Sequence, residues 1–108
     1  MEIIKTVKDE TAELSLIGRL DTTTAPELEE ELKKLFEAGS KDLAINLEQL
    51  EYISSAGLRV LLFAQKSVTP EGKLVIRNAR PEIMEVFDIT GFTDILTIEY
   101  TGITRSLI

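Results

Sequence analysis

The amino-acid sequence predicts an α/β domain, a mixed sheet of four to five strands with helices packed on it. Two periodicities carry that expectation. Some stretches place apolar residues at every second position, others at every third or fourth, and the two kinds alternate along the chain. Their order, β-β-α-β-α-β-α-β, puts a helix between the later strands, as right-handed parallel crossovers need, while the first two strands are close enough to pair as a hairpin. No repeat, linker or low-complexity tract interrupts the pattern, so one domain is expected over residues 1–108.

The first strand is expected at residues 3–7 and the second at residues 12–17, where Leu14 and Leu16 face one side and Glu13 and Ser15 the other. The polar run Lys8-Asp9-Glu10-Thr11 turns between them. Asp21-Thr22-Thr23-Thr24 then offers capping side chains, Pro26 suits a first helical turn, and Leu28, Leu32, Leu35 and Phe36 line one face of a helix ending near Gly39. Residues 42–47 alternate again and read as a third strand, followed by a connection over residues 48–54. A second helix runs from about Ser55 to about Val68, where Pro70 and Gly72 end it. Because Leu58, Val60, Leu61, Leu62, Phe63 and Ala64 make it apolar nearly all round, it is expected to be buried on more than one side or to meet a partner. Residues 74–76 form a short apolar strand. After Arg80-Pro81, the spacing of Ile83, Met84 and Phe87 gives a third helix stopping near Gly91, and residues 95–100 give the last strand. In the tail, Ile103, Leu107 and Ile108 suit a short docking turn.

Composition excludes much chemistry. The 108 residues carry 19 acidic and 12 basic side chains, a net charge of -7, and neither Cys nor His. That removes disulfides, thiolate nucleophiles, imidazole bases and the usual zinc ligands. A Ser-His-Asp triad lacks its base, and no G-x-x-x-x-G-K-[ST] phosphate loop occurs. Glu29, Glu30 and Glu31, like Glu82 and Glu85, fall on helix surfaces rather than in a spaced calcium-type loop or an acid–base pair. The expectation is a non-enzyme with no catalytic residues, metal or cofactor. Without clustered Lys and Arg, nucleic acid is not an expected partner. No apolar run approaches the ~20 residues of a membrane span. The acidic start Met1-Glu2 is unlike a signal peptide, so a cytoplasmic location without membrane insertion is expected. The charge is uneven: residues 1–54 hold 13 acids against 6 bases, whereas residues 55–108 balance at 6 and 6. A partner surface rich in Lys or Arg would be steered to the acidic half.

The motif that stands out is Tyr52-Ile53-Ser54-Ser55-Ala56-Gly57-Leu58-Arg59-Val60-Leu61-Leu62, which sets two hydroxyls at the head of an apolar helix. Free backbone N–H groups and the positive end of the helix dipole stabilise a phosphoryl dianion there, and Ala56 and Gly57 leave room for it. The same place suits a plain cap by Ser55 or Ser54, typically worth about 1 kcal/mol. A capping box is not completed, since Gly57 or Leu58 stands where Glu or Gln is wanted.

The segment from Ile53 to Leu61, together with Gly18-Arg19-Leu20-Asp21 and Thr24-Ala25-Pro26-Glu27-Leu28, resembles the STAS domain family, specifically the bacterial anti-sigma factor antagonists. Phe87-Asp88-Ile89-Thr90-Gly91-Phe92 resembles the family's C-terminal part, so the likeness covers nearly the whole chain. The resemblance implies a regulatory domain without catalysis of its own. Its unmodified form binds an anti-sigma factor that is also a serine kinase, and that binding frees a sigma factor. Phosphorylation at Ser55 releases the antagonist, and a metal-dependent serine phosphatase resets it. Asp21 matches a family acid near the acceptor, and Asp21, Thr23, Ser54, Ser55, Ala56, Gly57 and Arg59 are the implied partner-binding set. Many members carry Asp directly before the acceptor; here that position is Ser54, which makes Ser54 a second candidate acceptor. The alternative function is a structural or adaptor STAS domain, in a signalling assembly or a lipid-transport complex, without a phosphorylation switch.

Overall fold

A computed structural model describes residues 1–101. The tail residues Ile103, Leu107 and Ile108, read above as a docking turn, lie outside the described residues. Alternation decides which way the first sheet residues point. In β2 (Thr11–Leu20), Ala12, Leu14, Leu16 and Leu20 are buried, while Glu13, Ser15 and Ile17 between them are only half-buried. β1 (Glu2–Lys8) returns antiparallel beside it through a turn in which Asp9 takes φ 57, a left-handed conformation that Asp tolerates better than most residues.

β3 (Asp42–Ile53), β4 (Lys73–Arg77) and β5 (Ile98–Glu99) follow in parallel, giving one sheet in the order β1-β2-β3-β4-β5. The helices α1 (Ala25–Glu37), α2 (Ser55–Ser67) and α3 (Pro81–Thr90) bury Leu28, Leu32, Leu61, Ala64, Ile83 and Phe87 in one apolar cluster with Leu14, Leu16, Ile45, Leu47 and Ile76 from the strands. This is the α/β domain with a mixed sheet that the sequence predicts. Helix α2 is buried toward both the sheet and α1. Gly57, Leu58, Val60, Leu61 and Ala64 are buried, Leu62 and Phe63 are half-buried, and Phe63 meets Phe36 of α1 edge-on at 6.4 Å between centroids.

Three boundaries differ from the expectation. β2 runs on to Leu20. The segment 48–54, read as a connection, is strand as far as Ile53 because β3 contains two irregularities. Opposite it, Ser15 and Ile17 pair with Asn46 and Gln49, and Gly18 and Arg19 with Leu50 and Tyr52, so β3 takes one extra residue at each step. Its inward residues therefore change from Leu43, Ile45 and Leu47 to Leu50 and Ile53, a spacing of three that conceals a strand. The first bulge is held by side chains: Asn46 Oδ1 accepts from the Glu48 N–H at 2.9 Å, and Arg80 Nε donates to the Glu48 carbonyl at 2.9 Å.

At the other end, the expected strand over 95–100 shrinks to Ile98–Glu99. Gly91 closes α3 at φ 82, its N–H donating to the Asp88 and Phe87 carbonyls, and a 3-10 turn over Phe92–Asp94 follows. The Ile95 and Leu96 N–H groups then bond the Phe92 carbonyl, so these residues are spent on a turn that seats Leu96 in the core.

The bulged half of β3 should behave as core on its spacing-of-three face. Leu50→Ala is expected to destabilise the fold by about 2–5 kcal/mol, whereas the neighbouring exposed Gln49→Ala should stay within about 0.5 kcal/mol. Urea unfolding of the two variants checks this.

Candidate functional site

The parallel strands β2 and β3 end side by side, with Leu20 opposite Ile53. The Ser54 N–H then donates to the Leu20 carbonyl at 2.9 Å, which brings the loop 21–24 next to the head of α2. Ser54 remains extended at φ -99 and ψ 175, and its Oγ accepts from the Gly57 N–H at 3.3 Å, while its carbonyl accepts the first helical bond from Leu58 at 2.9 Å. Ser54 is therefore the N-cap. Ser55, the first residue inside the helix, is exposed, and the first turn of α2 holds no acidic residue.

Gly57 sets how close α2 can come. A Cβ there would lie 2.7 Å from Leu20 Cγ and 2.9 Å from Ile53 Cγ1, too close for either branched side chain to yield cheaply. What Gly57 provides is the absence of a side chain, under a helix end resting on the strand tips. Ala56 is half-buried and Arg59 exposed.

In the adjoining loop, Asp21 Oδ1 accepts from the Thr23 N–H at 3.0 Å and the Thr24 N–H at 3.1 Å. The bond from the Thr24 amide is the largest cause holding the Asp21 carboxyl below its ordinary range, opposed by partial desolvation and assisted by the Thr23 amide and the Arg19 charge. Thr24 Oγ1 fastens the same loop, accepting from the Asp21 N–H at 2.8 Å and lying 2.8 Å from the Arg19 carbonyl, to which it donates. Thr24 is the N-cap residue of α1 but makes no side-chain capping bond, so the capping expected from this run falls to Asp21 and closes the turn rather than the helix. Thr23 is exposed.

The motif residues thus fall on one end of the molecule, at the C-terminal tips of β2 and β3. Two arrangements that the sequence reading did not bring out share this end. Arg19 lies over the Tyr52 ring at 4.2 Å from its centroid, and the two residues are register partners. Arg59 lines a groove between α1 and α2 with Thr22, Pro26, Glu29 and Glu30. Neither feature has a spacing in the sequence that reveals it; both depend on strand register and helix packing. A separate cleft at the opposite end of the strands, on the face away from the helices, has Lys8, Lys73 and Arg77 beside Glu13 and Asp42, and none of the motif reaches it. Among the described residues, no three His, Cys, Asp or Glu converge on a metal position, and no helix is long and apolar enough to cross a membrane.

An exposed hydroxyl at the head of a helix thus stands on the strand-end surface of a small α/β domain. The chain belongs to the STAS domain family, whose match spans residues 2–102, and falls among its anti-sigma factor antagonists. It is 38% identical over 84 residues to BtrV of Bordetella bronchiseptica, named as an anti-sigma factor antagonist, covering 77% of this chain and 72% of that protein. It is 33% identical over 99 residues to the anti-sigma-B factor antagonist of Staphylococcus aureus, covering 91% and 92%. The fold matches the Bacillus cell fate determinant SpoIIAA in its phosphorylated form, with a TM-score of 0.74 and 18% identity over 98% of this chain and 96% of that one.

The two serines should separate by stability. Ser54→Ala is expected to cost about 1 kcal/mol through the lost cap, and Ser55→Ala to stay within about 0.5 kcal/mol, both read from denaturant midpoints. Asp21 should separate by pH. Because its folded pKa is depressed, its stabilising contribution is present above the unfolded value of about 4 and is lost as pH falls through the folded value. The stability gap between the native chain and Asp21→Ala should therefore be largest near neutrality and close as the solution is acidified below about pH 4.

Proposed function

We propose that the chain is a partner-switching regulator whose unmodified form binds an anti-sigma factor with serine kinase activity, and whose affinity is cancelled by phosphorylation of Ser55. The observation that carries this reading is the division of labour at the head of α2: Ser54 caps the helix and Ser55 stands exposed one residue further on. The relatives named as anti-sigma factor antagonists, and the phosphorylated form known for SpoIIAA, support it.

In this scheme Ser55 Oγ attacks the γ-phosphorus of ATP held by the kinase. The bond to the β,γ-bridging oxygen breaks, ADP leaves and the hydroxyl proton is lost. In the reset step a serine phosphatase directs water onto phosphorus, returning the Ser55 hydroxyl and inorganic phosphate. Within the free domain the added group meets the positive end of the α2 dipole and no acid in the helix's first turn. At a partner interface the same group brings about -1.5 to -2 charges that must be desolvated or opposed. Asp21, Thr23, Ser54, Ala56, Gly57 and Arg59 frame the surface the kinase contacts, with Gly57 acting through its lack of a side chain. The reading places the protein in the cytoplasm with its kinase.

Purified chain incubated with its co-purified kinase and ATP should gain one phosphoryl group, located by peptide mapping at Ser55. Ser55→Ala should abolish it and Ser54→Ala should not. The kinase complex should weaken at least about 100-fold, equivalent to ~2.7 kcal/mol, on phosphorylation. Phosphate at Ser54 would move the acceptor by one residue, and a complex indifferent to both serines would leave an adaptor domain instead.

A further inference from the structure

We propose that Arg59 is the built-in counter-charge for a phosphoryl group on Ser55, and that phosphorylation draws its guanidinium out of the groove between α1 and α2. The proposal rests on the reading of Ser55 as the acceptor. Arg59 follows Ser55 by one helical turn in α2, a spacing that sets Cβ atoms about 5–6 Å apart. Side chains in a helix lean toward its N-terminus, so a long residue covers the turn before its own Cα; for Arg59 that is the turn holding Ser55.

The guanidinium is available. Arg59 is exposed, and among the described residues it takes part in no ion pair. The other charges at this end are committed or weaker. Arg19 is held over Tyr52, and the Asp21 carboxylate is occupied by the Thr23 and Thr24 amides. Of the two acids sharing the groove with Arg59, Glu29 is paired with Lys33 at 3.1 Å and Glu30 has no cation within ion-pair distance among the described residues. A single exposed carboxylate competes poorly with a group of about -1.5 to -2 charges and three acceptor oxygens. The planar guanidinium fork matches such a group with two parallel hydrogen bonds, which an ammonium does not.

The modification then acts twice on the surface. It adds negative charge at Ser55, and it removes the cation from a groove that keeps Glu29 and Glu30. A partner that docks across the α1–α2 groove with Arg59 in it meets a more acidic groove after phosphorylation, one turn away from the phosphate itself.

The test is a phosphorus NMR pH titration of the full chain carrying phosphoserine installed at position 55 during translation, at low salt, compared with Arg59→Gln and Arg59→Lys in the same background. Arg59 should lower the second phosphate pKa by about 0.2–0.4 unit relative to Arg59→Gln, Arg59→Lys should recover only part of that shift, and high salt should shrink it. Equal titration curves for the native residue and Arg59→Gln overturn the proposal. Since Arg59 is exposed, both variants should unfold at the native midpoint when unphosphorylated, which separates a counter-charge from a structural role. Because the phosphoserine is placed without a kinase, failure of the kinase to modify Ser55 would sink the functional reading and leave this result standing.

Discussion

The arrangement at this end of the molecule depends on the close approach of the α2 N-terminus to the tips of β2 and β3 at Gly57. No side chain fits between that backbone and Leu20 or Ile53, with a Cβ at Gly57 falling within 3 Å of both. The contact is locked from the other side by the Ser54 N–H bond to the Leu20 carbonyl. Together they fix the height of the helix head above the strand ends, which determines that Ser54 turns back to cap and Ser55 faces outward. A larger residue at position 57 would lift the helix and change the burial of both serines at once. The glycine in the motif is thus explained by packing, because its backbone is helical and needs no left-handed freedom.

Much of the fold was legible because its periods are regular where the sequence is read most easily. The alternation around Leu14 and Leu16 and the helical spacing of Leu28, Leu32 and Leu35 correspond directly to buried faces. What was not legible is where the period changes within one element. The passage from Leu47 through Leu50 to Ile53 looks like neither a regular strand nor a helix, because two extra residues in β3 turn a spacing of two into a spacing of three. The last strand failed for a related reason: Ile95 and Leu96 look like strand residues, but the chain is still completing the turn begun at Gly91.

The site was legible in part. The motif at residues 52–62 located the helix head, and the strand–helix order put it at one end of the sheet. The resemblance pointed to Ser55 as acceptor with Ser54 second, but the sequence left open which of the two caps the helix, because the one-residue offset that makes Ser54 the cap is decided by backbone angles. Likewise Arg19 and Tyr52 are far apart in sequence and meet only because the second bulge in β3 brings Tyr52 opposite Arg19. The groove holding Arg59 with Glu29 and Glu30 exists only once α1 and α2 are packed.

The Ser at position 54, where the resemblance leads one to expect Asp, also acquires a physical meaning. A neutral hydroxyl fills the N-cap, accepting the Gly57 amide as a carboxylate would, but without a fixed negative charge beside position 55. Under the proposed reading, a phosphoryl group added there meets less repulsion from its own domain than it would next to an Asp cap, so the modified form is easier to hold. In the adjoining loop, the Asp21 carboxylate has its charge partly satisfied by the Thr23 and Thr24 amides. Because the helix head is fixed by backbone bonds and by the packing under Gly57, no rearrangement of the sheet is required for the surface to change. The difference between the two forms then lies in charge at the outer face of α2, where a partner would meet it and the core would not.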